Sequence, residues 1–397
     1  MGAGQPFSTR AKGWLFATAM LFSAVFGVIY IVFPLCILIF LNPRLYRKLL
    51  DRLVGIWVIM PSAVLKLLFG SEVRIKGDFI DHKEPALIIM NHRTRLDWLF
   101  FWQALYKMDP WLCCSEKISL KGILKYVPGA GVAMQAASFI FLDRSFESDK
   151  EKLDSILNYF ANCGRKYQLL LFPEGTDKCP RATERSLQFS QKKGLVHYDY
   201  VLHPRVTGFV HIVQTMRRNN NINYLYDVTI GFGDAIVQSE VDLISHGACP
   251  KEIYYQVVKI PIDTLPMSDE ALGKWLIELW RKKEEKLKQF YAMPSSTRQF
   301  ANTPNGNEYE MDQNAEKAQF GLIFFWGFTT LFWMFMWFES AFMFYWGFIA
   351  TIFYICMYKF YGGLEFLAID IFNKTKGDGM FTQAERTRTT ENETINT

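Results

Sequence analysis

The stretch Ala86-Leu-Ile-Ile-Met-Asn-His-Arg-Thr-Arg-Leu-Asp-Trp98 is a short apolar run that leads straight into polar and charged residues. Five apolar residues in a row suit a strand buried on both faces, as in a parallel sheet. The polar residues that follow suit a strand-to-helix turn, with Asp97 beginning the helix. α/β sheets place their chemistry at the C-terminal ends of strands, and His92 stands at such an end. Through a turn of this kind, a five-residue separation brings the Asp97 carboxylate back to imidazole Nδ1. Asp97 then sets the tautomer and leaves Nε2 open to accept a proton. Proton transfer positioned in this way is worth about 10²–10⁴ in rate. Only one of the six histidines has this spacing, yet a surface histidine beside an acidic helix start would show it too. The pair needs other motifs around it.

Outward from this run, short β-favouring segments recur at Val73–Ile75, Gln168–Phe172, Tyr200–Val206, Tyr226–Gly231 and Ile253–Ile262. Helix-like stretches such as Leu96–Tyr106 and Asp149–Asn162 lie between them. Alternation of this kind predicts an α/β domain with a largely buried sheet over residues 71–291. Ser268, with Asp269 and Glu270 after it, opens a closing helix whose Leu272, Trp275, Leu276 and Leu279 recur at helical spacing.

Three further blocks carry chemistry. Gln168-Leu-Leu-Leu-Phe-Pro-Glu-Gly-Thr176 is a second buried strand that stops at Pro173 and Gly175. Glycine lets the backbone approach a ligand closely, and Thr176 offers a hydroxyl and an N–H to phosphate oxygens. Gly131–Arg144 ends in Phe139-Ile-Phe-Leu-Asp-Arg144, a strand delivering a guanidinium suited to phosphate. Val201-Leu-His-Pro-Arg-Val-Thr-Gly208 ends another β run at Pro204. Singly, each has a plain structural reading: a strand-ending turn, an Asp143–Arg144 surface pair, a proline stop.

Half of the 397 residues are hydrophobic, with 35 Phe and 11 Trp, and the apolar content is concentrated in a few runs. Residues 1–13 read as a tail. Residues 14–41 exceed the roughly 20 needed to cross a bilayer and read as an anchor. Arg44, Arg47, Lys48 and Arg52 follow it, against Arg10 and Lys12 before, so the positive-inside bias puts the downstream side in the cytosol. Residues 53–69, interrupted by Pro61 and Lys66, read as an interfacial or re-entrant helix. A polar linker is expected over 295–317, a two-span hairpin over 320–358 broken at Glu339-Ser340, and a disordered tail over 377–397. The seven cysteines form no C-x-x-C pair and read as free thiols of a reducing compartment. A net charge of +5 without a basic block excludes a nucleic-acid footprint and suits anionic headgroups.

Taken together, the four blocks resemble the PlsC-type glycerolipid acyltransferase superfamily, whose first motif is N-H-x-x-x-x-D. Phe172-Pro-Glu-Gly-Thr176 is the most specific match. The likeness spans roughly Ser71–Tyr291. The resemblance implies an α/β acyltransferase-type domain with a mostly buried mixed sheet, flanked by N- and C-terminal transmembrane helices. It implies His92 as base and Asp97 as its orienter. Arg144, Glu174, Gly175 and Thr176 would hold the acceptor's glycerol and phosphate, and Pro204 with its neighbours would shape the acyl-donor side. Lys117 lies where the family often has a basic residue, though an exposed helix lysine reads equally well. Arg93 and Arg95 are candidates for an anionic headgroup or CoA phosphate, or for surface charge at a helix start.

Asn91–Trp98, Phe172–Asp177, Val201–Phe209 and Pro261-Ile-Asp-Thr-Leu-Pro266 narrow the likeness to the lysocardiolipin/lysophosphatidylinositol acyltransferase branch. That branch implies acyl-CoA as co-substrate, an anionic lysophospholipid as acceptor, a lipid bilayer, and no bound cofactor, metal or nucleic acid. The implied location is the endoplasmic reticulum membrane or its mitochondria-associated regions, with the catalytic domain on the cytosolic face. The competing readings are a 1-acylglycerol-3-phosphate acyltransferase and an inactive membrane lipid-binding protein. A metal hydrolase lacks a clustered third ligand.

Overall fold

β2 (Ala86–Met90) lies in the middle of the sheet that organises this chain, after β1 (Glu72–Gly77) and before six further strands. These are β3 (Glu116–Lys121), β4 (Ile140–Leu142), β5 (Gln168–Leu171), β6 (Tyr224–Phe232), β7 (Glu252–Pro261) and β8 (Asn307–Glu308). The structure is a computed structural model and describes residues 7–143, 145–301 and 307–377. Across the sheet the order is β4-β3-β5-β2-β6-β7-β1-β8. β2 pairs in parallel with β5, from Ala86 against Gln168, and with β6, from Ala86 against Tyr224 to Met90 against Val228. β6 and β7 are antiparallel, so two parallel blocks of opposite direction share one mixed sheet.

The uninterrupted apolar run of β2 follows from this position. Leu87 and Ile89 enter a core layer with the helices Phe146–Asn162, Val206–Arg218 and Asp269–Ala292, while Ile88 and Met90 enter one with Asp97–Met108 and Pro43–Phe69. Helices cover both faces, so neither face selects polar residues. The helix opened by Ser268 runs Asp269–Ala292, and the Ser268 hydroxyl accepts the Ala271 N–H at 3.3 Å.

Four expectations change. Tyr200–Val206 is not a strand. The N–H groups of Asp199, Tyr200 and Val201 donate to the Glu284 carboxylate at 2.6–3.0 Å, so no ladder is left for them. Pro204 has no N–H to donate, and Val206 opens a helix whose Phe209, Val210 and Val213 recur on the buried side. The expected tail 1–13 is helical from Phe7, in a helix continuing through a π turn at Val28–Val32 toward Leu41. Gly13 and Gly247 let it dock on Glu240–His246: a Cβ at Gly13 would meet the Ile244 carbonyl at 2.3 Å.

The interfacial helix expected over 53–69 begins ten residues earlier, as Pro43–Phe69, with the Asn42 side chain capping the Leu45 N–H at 3.0 Å. The charges of Arg47 and Asp51 do not break it, because they pair inside the protein at 2.8 Å. The expected linker 295–317 is stitched to the domain. Phe300 is buried and stacks on Phe290, Arg298 bonds the carbonyls of Phe232 and Gly233, and β8 pairs with β1.

Among the described residues, four helices are long and apolar enough to cross a membrane. They differ in what covers them. The most apolar window of Pro43–Phe69 is 61% buried in the protein, against 6% for Gln313–Glu339 and 11% for Ala341–Tyr361. That last pair meets at Ser340 and presents Phe324, Phe328, Phe338 and Phe342 outward. Apolar patches of that size mark a surface that meets lipid or protein.

Candidate active site

Asn91 carries the β2 ladder one step past Met90. Its amide donates to the Ile230 carbonyl at 3.1 Å and accepts the Ile230 N–H at 2.9 Å. A side chain thus replaces a backbone pair, and His92 leaves the sheet from a fixed point. Its Nδ1 lies 3.0 Å from Asp97 Oδ2. Asp97 is fully buried and also accepts the Thr94 N–H at 3.0 Å and the Thr94 hydroxyl at 2.8 Å. Three donors converge on one carboxylate within a six-residue turn. Nδ1 keeps its proton and donates it in a hydrogen bond to Asp97, and Nε2 carries the free lone pair.

The imidazole is held from a second side. Phe172, the residue after β5, stacks on it with ring centroids 4.1 Å apart. The two motif loops are also laced together through their backbones. Lys178 N–H donates to the His92 carbonyl at 2.9 Å, and Arg93 Nη1 donates to the Lys178 carbonyl at 3.0 Å. Gln238 bridges the Arg93 carbonyl and Asp177, while its own carbonyl accepts the Arg95 N–H.

Glu174 does something other than hold acceptor. It is 2% exposed, and its carboxylate accepts the His92 N–H at 3.1 Å, the Leu202 N–H at 2.9 Å and the Trp280 indole N–H at 3.2 Å. Its oxygens are spent on protein donors, so its place in the acceptor site is withdrawn; it ties the His92 turn to the 202 segment and to the closing helix. Burial pushes its carboxyl up to about 7, against the lowering effect of the two backbone N–H donors.

Gly175 adopts φ +72° and closes the turn by donating its N–H to the Phe172 carbonyl. A side chain there would be strained, and its Cβ would meet Arg205 Cδ and Nε at 3.1 Å. Arg205 therefore lies across the glycine. It is exposed, its N–H is anchored to the Pro173 carbonyl at 2.7 Å, and it makes no ion pair among the described residues. Thr176 and Pro204 are half-buried on this same rim. Arg93 is half-buried, and Arg95 reaches Asp177 and Glu240 only at 3.9 and 4.0 Å.

Two expected site residues stand apart. Arg144 lies outside the described residues. Lys117 is neither helical nor exposed: it is on β3, 3% exposed, and its Nζ lies 2.6 Å from Asp51. It is level with Leu169, which is level with Leu87, five residues short of His92. At roughly 3.3 Å per residue that is about 16 Å along the strand. Lys117 is removed from the site.

Sequence reasoning also missed three contributors. Arg205 was covered only as an unnamed neighbour of Pro204, on the acyl-donor side. Phe172 was quoted as part of a motif without a role. Trp280 lies more than a hundred residues away, with no local signal. Among the described residues, no three His, Cys, Asp or Glu side chains cluster as metal ligands.

Known proteins bear on this geometry. A family model described as Acyltransferase matches residues 72–233, and one described as Acyltransferase C-terminus matches residues 244–326. Lysophosphatidylinositol acyltransferase 10 of Caenorhabditis elegans is 46% identical over 280 residues, covering 70% of this chain and 72% of that protein. Lysocardiolipin acyltransferase 1 of Gallus gallus is 42% identical over 280 residues, covering 70% and 73%. A probable 1-acyl-sn-glycerol-3-phosphate acyltransferase of Arabidopsis thaliana is 29% identical, covering 63% of this chain and 65% of that protein.

Proposed function

Because the chain belongs to the acyltransferase family, we propose that it moves a fatty acyl group from acyl-CoA to an anionic lysophospholipid. Lysophosphatidylinositol is the first acceptor and lysocardiolipin the second, following the order of identity of the two relatives. The observation that carries the reading is His92: at a strand end, oriented by a buried carboxylate, with Nε2 open.

Nε2 takes the proton of the acceptor hydroxyl as its oxygen attacks the thioester carbonyl. The new C–O bond forms as the carbonyl π electrons move to oxygen. When that tetrahedral species collapses, the C–S bond breaks and the CoA thiolate leaves with the pair. The imidazolium returns its proton to the sulfur. Asp97 holds the ring and stabilises its charged form without taking the proton. No bound cofactor or metal enters these steps.

Arg205, over Gly175, is the group best placed to meet the acceptor phosphate, with the Thr176 hydroxyl beside it; an arginine fork suits phosphate oxygens. Substrates of this kind reside in a bilayer, consistent with helices long and apolar enough to cross one. We place the enzyme in the endoplasmic reticulum membrane with its catalytic domain in the cytosol. The basic residues after Leu41 and the seven free thiols support that side.

The test is acyl transfer from labelled acyl-CoA by membranes containing the protein, across lysophosphatidylinositol, lysocardiolipin and lysophosphatidic acid. Transfer to the first two at higher kcat/KM than to the third is expected. A preference for lysophosphatidic acid would move the chain to the phosphatidic-acid-forming reaction, and transfer to none would sink the proposal.

A further inference from the structure

At the opposite end of the sheet from His92, three cations surround one carboxylate. Arg47 Nη2 lies 2.8 Å and Lys117 Nζ 2.6 Å from Asp51 Oδ1, and Arg165 Nη2 lies 3.2 Å from Asp51 Oδ2. Arg47, Lys117 and Asp51 are 1%, 3% and 5% exposed, and Arg165 is a third exposed. Asp51 is the only carboxylate ion-paired to these cations among the described residues.

That leaves three basic side chains around one carboxylate, with Arg47 and Lys117 closed to water and Arg165 partly open to it. Burying an uncompensated cation is among the more expensive things a fold can do. Replacing two of these residues by apolar ones would relieve it, so their presence asks for a compensating group. The Nε of Arg47 is buried with no acceptor, while its Nη1 is held by the Ser138 hydroxyl at 2.6 Å. A buried guanidinium donor in the cluster thus lacks an acceptor. The residues next in sequence, Lys48, Arg52 and Lys166, are all exposed, which raises the positive potential at the approach through Arg165.

We propose that this cluster is a binding site for a phosphate group, separate from the reaction centre. A phosphate brings up to two negative charges and oxygens that match both guanidinium forks and the ammonium. It completes the charge balance that Asp51 alone leaves short. Because Arg47 and Asp51 lie on the Pro43–Phe69 helix, Lys117 on β3 and Arg165 just before β5, the bound anion ties that helix to the catalytic sheet. The phosphate comes from an anionic lipid headgroup or from solution. About 16 Å along the strands separates the site from His92, so one acceptor phosphate does not serve both.

The experiment measures thermal unfolding of the full-length protein in detergent, with sodium phosphate against sodium chloride at matched ionic strength. Wild type is expected to gain several degrees in phosphate, growing with the logarithm of its concentration, as a ligand of the folded state does. Arg165→Gln, at the exposed mouth, is expected to lose that gain; its elution volume and circular dichroism confirm that it folds. The same comparison is then made in nanodiscs of phosphatidylcholine alone and of phosphatidylcholine with phosphatidylinositol. If the anionic lipid gives the stabilisation and abolishes the further effect of phosphate, the headgroup is the ligand. If phosphate still adds its full increment there, the free ion is. No gain over chloride in wild type, or an equal gain in Arg165→Gln, overturns the site.

Discussion

His92 meets Asp97 at 3.0 Å and His211 meets Asp154 at 2.9 Å, so by contact alone the two pairs are equivalent. Their surroundings differ. Asp97 is fully buried, and three donors from one turn converge on it; Asp154 is a third exposed and joins two surface helices through His211 and Thr215. The His92 backbone is clamped by Glu174 and Lys178 and its ring lies on Phe172, whereas His211 sits on the Val206–Arg218 helix against the edge of Phe146. A histidine–carboxylate contact is therefore no evidence for a base. What sets His92 apart is a fully buried, multiply bonded carboxylate beside it at a strand end.

The comparison is most easily broken at its strong side. His92→Ala is expected to lower acyl transfer by about 10³-fold, in the range of general-base loss, with the melting temperature near wild type. Asp97→Asn keeps the shape but offers Nδ1–H a poorer acceptor and loses the converging donors. A fall of about 10²-fold or more in kcat is expected, measured with saturating acyl-CoA.

Glu174→Gln comes next, because an amide cannot accept three N–H donors as a carboxylate does. The loss is expected at about 1–3 kcal/mol of stability, read by thermal unfolding, with roughly a tenfold fall in kcat as the His92 turn loosens. The same variant has a pH signature. Folding raises the Glu174 carboxyl from 4.5 to about 7, so the native state holds a proton that the unfolded chain has released. This contribution is full below pH 4.5 and is lost as pH rises through 7. Glu174→Gln should flatten the pH dependence of stability in that window; an unchanged slope would show that Glu174 does not titrate there.

Arg205→Gln is expected to raise the acceptor KM several-fold with little change in kcat, since an exposed guanidinium binds rather than reacts. The smallest effect belongs to the other side of the comparison. His211→Ala is expected to leave acyl transfer within about twofold of wild type. A loss matching that of His92→Ala would remove the distinction between the pairs.

Much of this was legible in the chain. β2 was read to its residue limits because five consecutive apolar residues have few other homes in an α/β protein. The return of Asp97 to His92 was legible because a six-residue turn leaves its ends little freedom. The failures share a cause. Tyr200–Val206 looked like a strand from its side chains, but its N–H groups had gone to Glu284, more than eighty residues on. Lys117 read equally well as a site residue or an exposed lysine because its partner, Asp51, belongs to another element. Glu174 looked like a ligand for substrate because nothing local shows that Leu202 and Trp280 converge on it.

What the amino-acid sequence determined by itself is whatever short-range pattern controls: the strand ending at His92, the turn to Asp97, the strand stop at Pro173 and Gly175, and the apolar runs long enough for a bilayer. Tertiary structure alone decided which polar groups face a substrate and which are consumed in holding the fold. A buried donor or acceptor must find a partner, and that partner is chosen by proximity in space. Chain distance carries no record of it.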